Sequence, residues 1–430
     1  MTTKRQQESI SIRDIPATGV IFASMEARRL GWGSDGRLWS NLGQGQAETG
    51  PLPGSPPRVE SINIECSDHG YAPVLGVSEL REAVADYYNR NFRRGLGSKY
   101  TAENVAIASG GRVALTRAAA SLGSLNLGHF LPDYTAYEEL IESFRLVTPI
   151  PILLRRDQGF TLESGEFERE IRGNGLGAVL FSNPSNPTGR LISGQELLQW
   201  ISTAGRLDCT LLIDEFYSHY IWKRSKDEPG PSVSAARWIE DVNRSSVVIF
   251  DGLSKNWRYP GWRISWTVGP RHIIRSIGNA GSFLDGGAPR PLQRKAIELL
   301  GEKLTRLETQ ATQSAFLRKR SLLLRRCQEM NLEIDMEPEG GFYAFVSLRH
   351  LPSPLCDSFE FFREALEYQV ITVPGSFFDI NPGKRKPPDR SRFGTDIRLS
   401  FGPSEEELSH GLAQLKAMIE INIEKARRRP

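Results

Sequence analysis

The sequence predicts an α/β fold in which a mostly parallel sheet lies between helices, together with a smaller α+β unit. Between residues 105 and 269, short runs that are apolar on both faces alternate with segments of helical spacing. This alternation is typical of parallel sheets covered by helices. Beyond residue 330, the segments GGFYAFVSL, YQVITVPG and DIRLSFG indicate further strands, followed by a closing helix from about residue 404.

The individual elements follow from local patterns. Residues 1–60 mix apolar pieces with Gly/Pro-rich pieces and predict an irregular arm and an entry loop. A helix is predicted from residue 78, because Leu80, Val84 and Tyr87 recur at helical spacing and Ser78 is a candidate N-cap. Residues 291–330 are helical in period. Six apolar runs predict strands, at 105–111, 129–134, 177–184, 210–217, 246–255 and 263–269.

Composition excludes several classes of protein. A chain of 430 residues should form two or three domains with a substantial core. Lys and Arg total 54 against 51 for Asp and Glu, so the net charge of +3 gives no reason to expect a nucleic-acid partner. No apolar run approaches the about 18 residues of a membrane span, and the N-terminus lacks the apolar region of a secretory signal. We therefore expect no membrane partner.

The cysteines and histidines indicate a reduced protein without a metal site. The histidines are scattered and form no metal-binding pair, so we expect no bound metal. The cysteines lie far apart and are expected to be reduced and mostly buried, which favours a cytoplasmic location. They are Cys66, Cys209, Cys327 and Cys356.

A basic stretch at residues 381–392, NPGKRKPPDRSR, has two interpretations. It holds five basic residues and three prolines, and its simpler interpretation is a solvated surface loop. A mobile lid or a patch for an anionic partner is the alternative.

Polar residues cluster at the ends of the predicted strands. In open parallel sheets this edge binds ligands, because strand carboxyl ends and helix amino ends converge there. Five successive strands end in this way, which is hard to explain by chance. The residues are Gly110, Gly111, Arg112, Tyr134, Asn186, Asp214, Tyr217, Ser254, Lys255 and Arg263.

The segment SGGRVALTRAA is a candidate phosphate site. It follows a strand and opens a helix, so its first backbone N–H groups face outward with the positive end of the helix dipole behind them. It matches neither nucleotide-binding glycine motif, which argues against a triphosphate or a dinucleotide. Taken alone, the segment is a weak signal, and a tight Gly-Gly turn into a helix is its simpler interpretation.

Three charged residues at the same edge point to cofactor chemistry. Asp214 ends an apolar run, where an acid needs a cation such as a protonated pyridine nitrogen. Lys255 also ends an apolar strand, where a desolvated amine becomes nucleophilic. Arg263 lies eight residues further on and could bind a phosphate. Each residue alone could form a structural ion pair, but together with the phosphate site they are what pyridoxal phosphate requires.

The motifs SNPSNPTG (182–189), DEFY (214–217), SK…GWR (254–263) and RLSFG (398–402) resemble the signature series of class I/II aminotransferases. These are fold type I enzymes that use pyridoxal phosphate. The resemblance implies a seven-stranded type of sheet and a small domain built from both ends of the chain. It places an N-terminal arm at 1–60, a large cofactor-binding domain at 61–305 and a C-terminal small domain at 306–430.

The resemblance also assigns roles around the cofactor. Lys255 would form the Schiff base and then transfer the proton, while Asp214 would bond the pyridine nitrogen and keep the ring protonated. Asn186 and Tyr217 would donate to the phenolic oxygen, and Tyr134 would stack on the ring. The phosphate contacts would come from Gly110, Gly111, Arg112, Ser254 and Arg263.

The substrate and subunit contacts are implied in the same way. Arg398 resembles the clamp of the substrate α-carboxylate, with Asn186 beside it, and Gly45 resembles the entry-loop glycine that closes over the substrate. Tyr71 resembles the tyrosine that reaches the phosphate of a neighbouring subunit, which implies a homodimer with shared active sites. The Asn186–Pro187 peptide is expected to be cis.

The sequence departs from the family pattern in three places. Gly252 stands where many members carry a phosphate-binding serine, so the phosphate contacts are in doubt. Arg112 stands where a small or amide residue is frequent, and it could face solvent or add a second charge. The segment 379–396 is also longer and more basic than the family pattern.

The expected function is transamination between an L-amino acid and a 2-oxo acid, with ping-pong kinetics. Elimination, decarboxylation or oxygen-dependent oxidation on the same cofactor is the alternative, because the fold constrains the cofactor more than the reaction. A non-catalytic regulator is disfavoured, since the about 40 residues before NLGQG show no DNA-binding pattern.

The substrate side chain stays open. The stretch 279–287 offers no arginine for a second carboxylate, which disfavours Asp or Glu, although Arg290 leaves this open. Four tryptophans could form an aromatic pocket or belong to the core; they are Trp32, Trp39, Trp257 and Trp262.

Overall fold

The computed structural model describes residues 15–17, 19–144, 146–224, 226–227, 230–387 and 390–428. The described helices are α1 (Gly19–Arg29), α2 (Ser78–Phe92), α3 (Gly111–Ala120), α4 (Ala136–Glu142), α5 (Ser164–Asn174), α6 (Gly194–Arg206), α7 (Arg271–Leu284), α8 (Arg290–Leu299), α9 (Glu302–Glu329), α10 (Ser358–Glu367) and α11 (Glu405–Arg427). The described strands are β1 (Ser40–Asn41), β2 (Val105–Ala108), β3 (Leu125–Leu131), β4 (Val147–Leu153), β5 (Leu176–Ser182), β6 (Thr210–Asp214), β7 (Val247–Gly252), β8 (Ser265–Val268), β9 (Tyr343–Ser347), β10 (Val370–Ile371), β11 (Val373–Pro374) and β12 (Asp396–Ser400).

The predicted α/β fold is confirmed by a central sheet that has seven strands among the described residues. Their order is β2-β8-β7-β6-β5-β3-β4. Strands β3 to β7 pair in parallel, whereas β8 pairs antiparallel with both β7 and β2. Every strand except β8 therefore runs in one direction, and the carboxyl ends of the other six meet at one edge. Arg263 precedes β8, so the reversed direction of β8 returns this residue to the same edge.

Two further sheets join distant parts of the chain. Strand β1 pairs in parallel with β10, which brings Ser40 opposite Val370. Strands β11, β12 and β9 form an antiparallel sheet that carries Arg398 in β12. The N-terminal segment is therefore built into the same region as the C-terminal segments. Helix α9 spans the predicted boundary at 305–306, so the division of the chain into domains stays a proposal.

Three local expectations need correction. The arm is not irregular throughout, because α1 buries Ala23 and Ala27 against Phe362 of α10. Strand β4 was not predicted, since its sequence VTPIPIL contains two prolines; it lies at the sheet edge, where a missing N–H is tolerated. Ser78 is the first residue of α2 rather than its cap, and its hydroxyl donates to Glu82.

The cysteines are only partly buried. Cys209 and Cys327 lie in the core, where burial raises the pKa of each thiol to about 12. Cys356 is half-buried and Cys66 is exposed, so the expectation of mostly buried thiols holds for two of the four. Among the described residues, no helix is both long and apolar enough to cross a membrane.

Candidate active site

A cavity of about 350 Å³ lies at the carboxyl edge of the central sheet. This volume is within the range of small-molecule sites in proteins. Helix α3, the loop after β5 and the segments that follow β6 and β7 supply most of its wall. Its lining residues are Gly111, Arg112, Leu115, Tyr134, Ser182, Asn186, Asp214, Phe216, Tyr217, Ser254, Lys255, Pro260 and Arg263. Most of the residues predicted to contact a cofactor are therefore brought together.

Lys255 carries an amine that is easily deprotonated. Burial lowers the pKa of this lysine to about 8, and the positive charges of Arg398, Arg112 and Arg263 contribute, while Asp214 opposes them. The Nζ atom donates a hydrogen bond to the carbonyl of Gly45. A substantial fraction of the amine is therefore neutral, and nucleophilic, at moderately alkaline pH.

Asp214 ends β6 and faces the cavity as a buried carboxyl group. Burial raises the pKa of this acid to about 6, while hydrogen bonds from the Tyr137 hydroxyl and the Phe216 N–H lower it. The Tyr137 oxygen lies 2.9 Å from Oδ2 and the Phe216 nitrogen lies 3.3 Å from Oδ1. Since two neutral donors only partly compensate a buried carboxylate, a cation in the cavity would stabilise it further.

The amino end of α3 and Arg263 form one anion-binding corner. Gly110 has a φ of +95°, and a Cβ atom there would lie 2.0 Å from Nη2 of Arg263. Only glycine therefore permits this approach of the guanidinium to the helix terminus. A Cβ on Gly111 would likewise overlap the Phe216 ring, at 2.6 Å. Free N–H groups and a fixed cation at a helix start suit a phosphate group.

Arg398 is 1% exposed and contacts the wall of this cavity at Asn186. Its Nη1 donates to Oδ1 of Asn186 at 2.9 Å, and its Nη2 donates to the carbonyl of Gly43 at 2.7 Å. Among the described residues, its Nε has no hydrogen-bond partner. The Asn186–Pro187 peptide is cis, as predicted. A buried guanidinium with an unused donor, and with no carboxylate partner in the part of the chain that the structure describes, suits a carboxylate ligand.

Comparison with known proteins identifies the family. The family model described as Aminotransferase class I and II matches residues 39–415. This chain belongs to that family. It is an aminotransferase of fold type I, as the sequence motifs indicated.

Relatives and solved structures agree with this assignment. The chain is 26% identical to an aspartate aminotransferase of Streptomyces avermitilis over 377 residues, which covers 84% of this chain and 85% of that protein. It is 26% identical to an aspartate/prephenate aminotransferase of Thermus thermophilus, covering 81% and 83%. The structure of an aspartate aminotransferase from Thermus thermophilus with maleate superposes with a TM-score of 0.76 at 22% identity, covering 95% of this chain and 100% of that chain.

The glycine at position 252 of this aminotransferase has a structural cause. Gly252 pairs with Ser265 of β8, and a Cβ atom at 252 would lie 2.7 Å from the Ile264 carbonyl oxygen and from the Ser265 Cα atom. A serine side chain therefore has no room at this position. Ser254 lines the cavity instead.

Arg112 faces the cavity and not only solvent. Its side chain is exposed, and its Nη2 donates to the Tyr134 hydroxyl at 3.1 Å. Arg112 lines both the first cavity and a second one of about 680 Å³ that opens from it. It thus adds a second positive charge at the junction of the two.

The second cavity, called the outer cavity below, adjoins the first and shares Asn186, Tyr217 and Lys255 with it. Gly45, Asn186, Lys255 and Arg398 lie at its inner end. Its outer walls come from α1, α3, α4 and the residues just after α4, and they are largely apolar. They include Val20, Ile21, Leu115, Leu140 and Phe144. None of the four tryptophans considered above belongs to its described lining, so they form no aromatic pocket here.

The basic stretch 381–392 packs next to this outer cavity. Lys384 pairs with Glu138 and Glu139 of α4, and Lys386 and Arg392 pair with Asp379. Three of the five basic residues of this loop therefore have carboxylate partners within the chain, which favours a structural role over a site for an anionic partner.

Two contacts of this site were missed by sequence reasoning. Tyr137 was not singled out, although its position three residues after Tyr134 on a helical segment could have indicated a shared face. Tyr343, in β9, was assigned only to a strand; its hydroxyl lies 2.9 Å from that of Tyr217. Tyr71 lies outside both cavities, 98% exposed.

Proposed function

We propose that this aminotransferase transfers the amino group of an L-amino acid to a 2-oxo acid by ping-pong kinetics, with pyridoxal phosphate joined covalently to Lys255. The observation that carries this proposal is the pair of Lys255 and Asp214 in one cavity beside the anion-binding corner of α3. Burial brings the pKa of the amine down to about 8 and that of the acid up to about 6. A buried nucleophilic amine and a buried carboxylate suit this cofactor.

The residues present fit the cofactor. The approach of Arg263 to Gly110 forms a cradle for a phosphate, and the partly compensated Asp214 carboxylate matches a pyridine N–H⁺. When bound, pyridoxal phosphate supplies an aldehyde that takes up an amino group and a protonated ring that accepts electrons from the Cα–H bond. The groups that would hold it are the backbone N–H groups of Gly111 and Arg112, the side chains of Ser254 and Arg263, Asp214, the Tyr134 ring, Asn186 and Tyr217. The Gly110 N–H, which the sequence predicted as a further phosphate donor, instead donates to the Ala108 carbonyl at 2.8 Å.

The protein's own groups orient the substrate and move its proton. Arg398 binds the α-carboxylate, and its contact with Asn186 keeps the guanidinium at the cavity wall. Gly45 closes the inner end of the outer cavity through its backbone. The Nζ atom of Lys255 would take the proton from the substrate Cα, because the lowered pKa of this lysine favours the free base.

The test is covalent mapping of the cofactor. Borohydride reduction of the reconstituted protein, followed by peptide mapping, should place the reduced adduct on Lys255. Lys255→Ala should lose both adduct and turnover. Lys319→Ala is the matched control, because Lys319 is also buried with a lowered pKa but pairs with Glu48 outside both cavities. A protein that cannot be reconstituted, or an adduct elsewhere, would overturn the proposal.

The reaction is tested by its products. The holoenzyme is mixed with each of twenty amino acids, aspartate among them, and prephenate is then offered as an acceptor of the amino group; both compounds are named for a relative. We expect stoichiometric 2-oxo acid and no ammonia from the productive amino acid. Release of ammonia, carbon dioxide or peroxide would instead support elimination, decarboxylation or oxidation.

We also propose a homodimer with shared active sites in the cytoplasm. The support for the dimer is an apolar surface around Tyr71, where Ile64 is 63% and Phe283 72% exposed. The segment that follows Tyr71 adjoins α7, which carries Phe283, since a Cβ atom on Gly281 of α7 would lie 2.8 Å from the Val74 side chain. The free cysteines support a reducing compartment.

A further inference from the structure

Tyr343 connects the two ends of the site. It opens β9, is 1% exposed and lines the outer cavity. Its hydroxyl oxygen lies 2.9 Å from that of Tyr217, and the Arg398 guanidinium carbon lies 4.1 Å from the centre of its ring. One side chain therefore touches both the arginine proposed to bind the substrate and the tyrosine proposed to bind the cofactor.

The antiparallel pairing of β9 and β12 explains this placement. Arg398 lies opposite Phe345, and Tyr343 is two residues from Phe345 on the same face of the sheet. A diagonal neighbour of this kind is within reach of a long side chain. The guanidinium therefore rests on the Tyr343 ring, and this contact is built into the register of the two strands.

The hydrogen bond between the Tyr217 and Tyr343 hydroxyls takes one direction when Tyr217 donates into the cavity. Either oxygen can donate to the other, but if Tyr217 donates into the cavity, only Tyr343 can donate to Tyr217. Burial raises the pKa of Tyr343 to about 12, while the charge of Arg398 opposes this rise and makes the hydroxyl a better donor. A donor behind Tyr217 strengthens the bond that Tyr217 itself donates.

We propose that Tyr343 is a positioning residue for transamination: its hydroxyl orients the Tyr217 hydroxyl toward the cofactor oxygen, and its ring supports the Arg398 guanidinium. This inference rests on the proposed function. The substitution Tyr343→Phe separates the two contributions of this side chain, because phenylalanine keeps the ring and loses only the hydroxyl.

The experiment compares Tyr343→Phe and Tyr343→Leu as holoenzymes. The pH titration of the cofactor absorbance band reports the charge on the oxygen that Tyr217 would stabilise, and KM reports the carboxylate clamp. Weaker donation destabilises the anionic form, so Tyr343→Phe should raise the titration midpoint by about 0.5–1 pH unit and leave KM within about twofold. Tyr343→Leu should show the same shift and also raise KM about tenfold.

Tyr88→Phe is the matched control. Tyr88 is equally buried and its hydroxyl accepts from the Trp266 indole at 3.3 Å, but it lines neither cavity. The titration midpoint of the cofactor absorbance band in Tyr88→Phe should equal that of the wild type. An unchanged midpoint in Tyr343→Phe, or an equal shift in Tyr88→Phe, overturns the inference. Failure of the wild type to bind pyridoxal phosphate at Lys255 would instead overturn the proposed function, so the two failures are distinct.

Discussion

At the scale of single residues, burial moves the amine and the acid of the site toward neutrality. Desolvation penalises the charged form of each group, so the pKa of Lys255 falls to about 8 while that of Asp214 rises to about 6. Their mutual attraction opposes both shifts, but three arginines near Lys255 outweigh the single acid. The amine of Lys255 therefore loses its proton more readily than an ordinary lysine, and Asp214 loses its proton less readily than an ordinary aspartic acid.

The reactivity of Lys255 should follow this lowered pKa. The rate of pyridoxal phosphate attachment at Lys255, trapped by borohydride and mapped at each pH, should rise with pH and reach half its maximum near pH 8. An ordinary lysine would reach half its maximal rate only at about pH 10.4. Arg112→Gln removes a neighbouring cation and should move the midpoint upward. A wild-type midpoint near that of an ordinary lysine would contradict this expectation.

The Tyr137 hydroxyl should hold Asp214 in its ionised form. Tyr137→Phe removes the donor 2.9 Å from Oδ2, so the pKa of Asp214 should rise further. At pH 7 we expect the affinity for pyridoxal phosphate to fall about tenfold, with a smaller loss at higher pH where the acid is ionised again. Equilibrium titration measures this. Tyr100→Phe, which removes a buried hydroxyl with no described partner, should leave the affinity unchanged.

The sequence could identify the strand-end residues but not their supporting contacts. Asp214 and Lys255 stand out because a charged residue directly after an apolar strand is unusual whatever the rest of the fold. The contact of Tyr343 with Tyr217 joins positions 126 residues apart, so no local pattern carries it. Only the tertiary packing of β9 against the segment that follows β6 brings these hydroxyls together.

At the scale of elements, the close packing of β7 on β8 dictates residue 252. Gly252→Ser would place a side chain 2.7 Å from backbone atoms of β8, so we expect a loss of about 1–3 kcal/mol in the free energy of unfolding, measured by denaturant titration. Gly261→Ser is the matched control, since its Cβ would meet open space. A serine at 252 that is tolerated and increases cofactor affinity would contradict this reasoning.

Asn256 fixes the segment that carries Lys255. Its amide nitrogen donates to Oδ1 of Asp251 at 2.8 Å and to Oγ of Ser218 at 2.9 Å, and its oxygen accepts from the His219 N–H. The side chain thereby ties the turn after β7 to the segment after β6. These are the segments that hold the amine and the acid in place.

Asn256→Ala should therefore lower kcat about tenfold, because the amine loses its fixed distance from Asp214. Asn104→Ala is matched, since Asn104 is equally buried and donates to Asn243 and to the Gly269 carbonyl away from both cavities. Both variants should lose about 1–3 kcal/mol of stability. Steady-state kinetics and thermal unfolding separate the two effects; an equal loss of kcat in both variants would show that Asn256 acts only through stability.

The strands that the sequence predicts correctly are those buried on both faces of the central sheet. Strands β5, β6 and β7 are continuous apolar runs, because helices cover the sheet on each side. Strand β4 escaped prediction since an edge position permits Pro149 and Pro151. Helix α1 escaped because its small buried face, Ala23 and Ala27, gives little apolar periodicity.

At the scale of the whole molecule, the entry segment, residues 43–50, is held by distant parts of the chain. The Gly43 carbonyl accepts from Arg398 and the Gly45 carbonyl accepts from Lys255. Arg258 donates to the carbonyls of residues 48 and 50 and pairs with Glu308 of α9 at 2.7 Å. The inner end of the outer cavity is thus assembled from the arm, the edge of the central sheet and the C-terminal strands.

The exposed Tyr71 leads to a prediction for the dimer. If Tyr71 completes the site of the other subunit, Tyr71→Ala and Lys255→Ala damage different chains of one site. Dissociating and reassociating an equal mixture of the two variants should then restore about one quarter of wild-type activity, because half the molecules are mixed dimers with one intact site. Each variant taken alone through the same cycle is the control and should regain nothing. No recovery, despite mixed dimers detected by mass spectrometry, would place Tyr71 in its own subunit's site or in none.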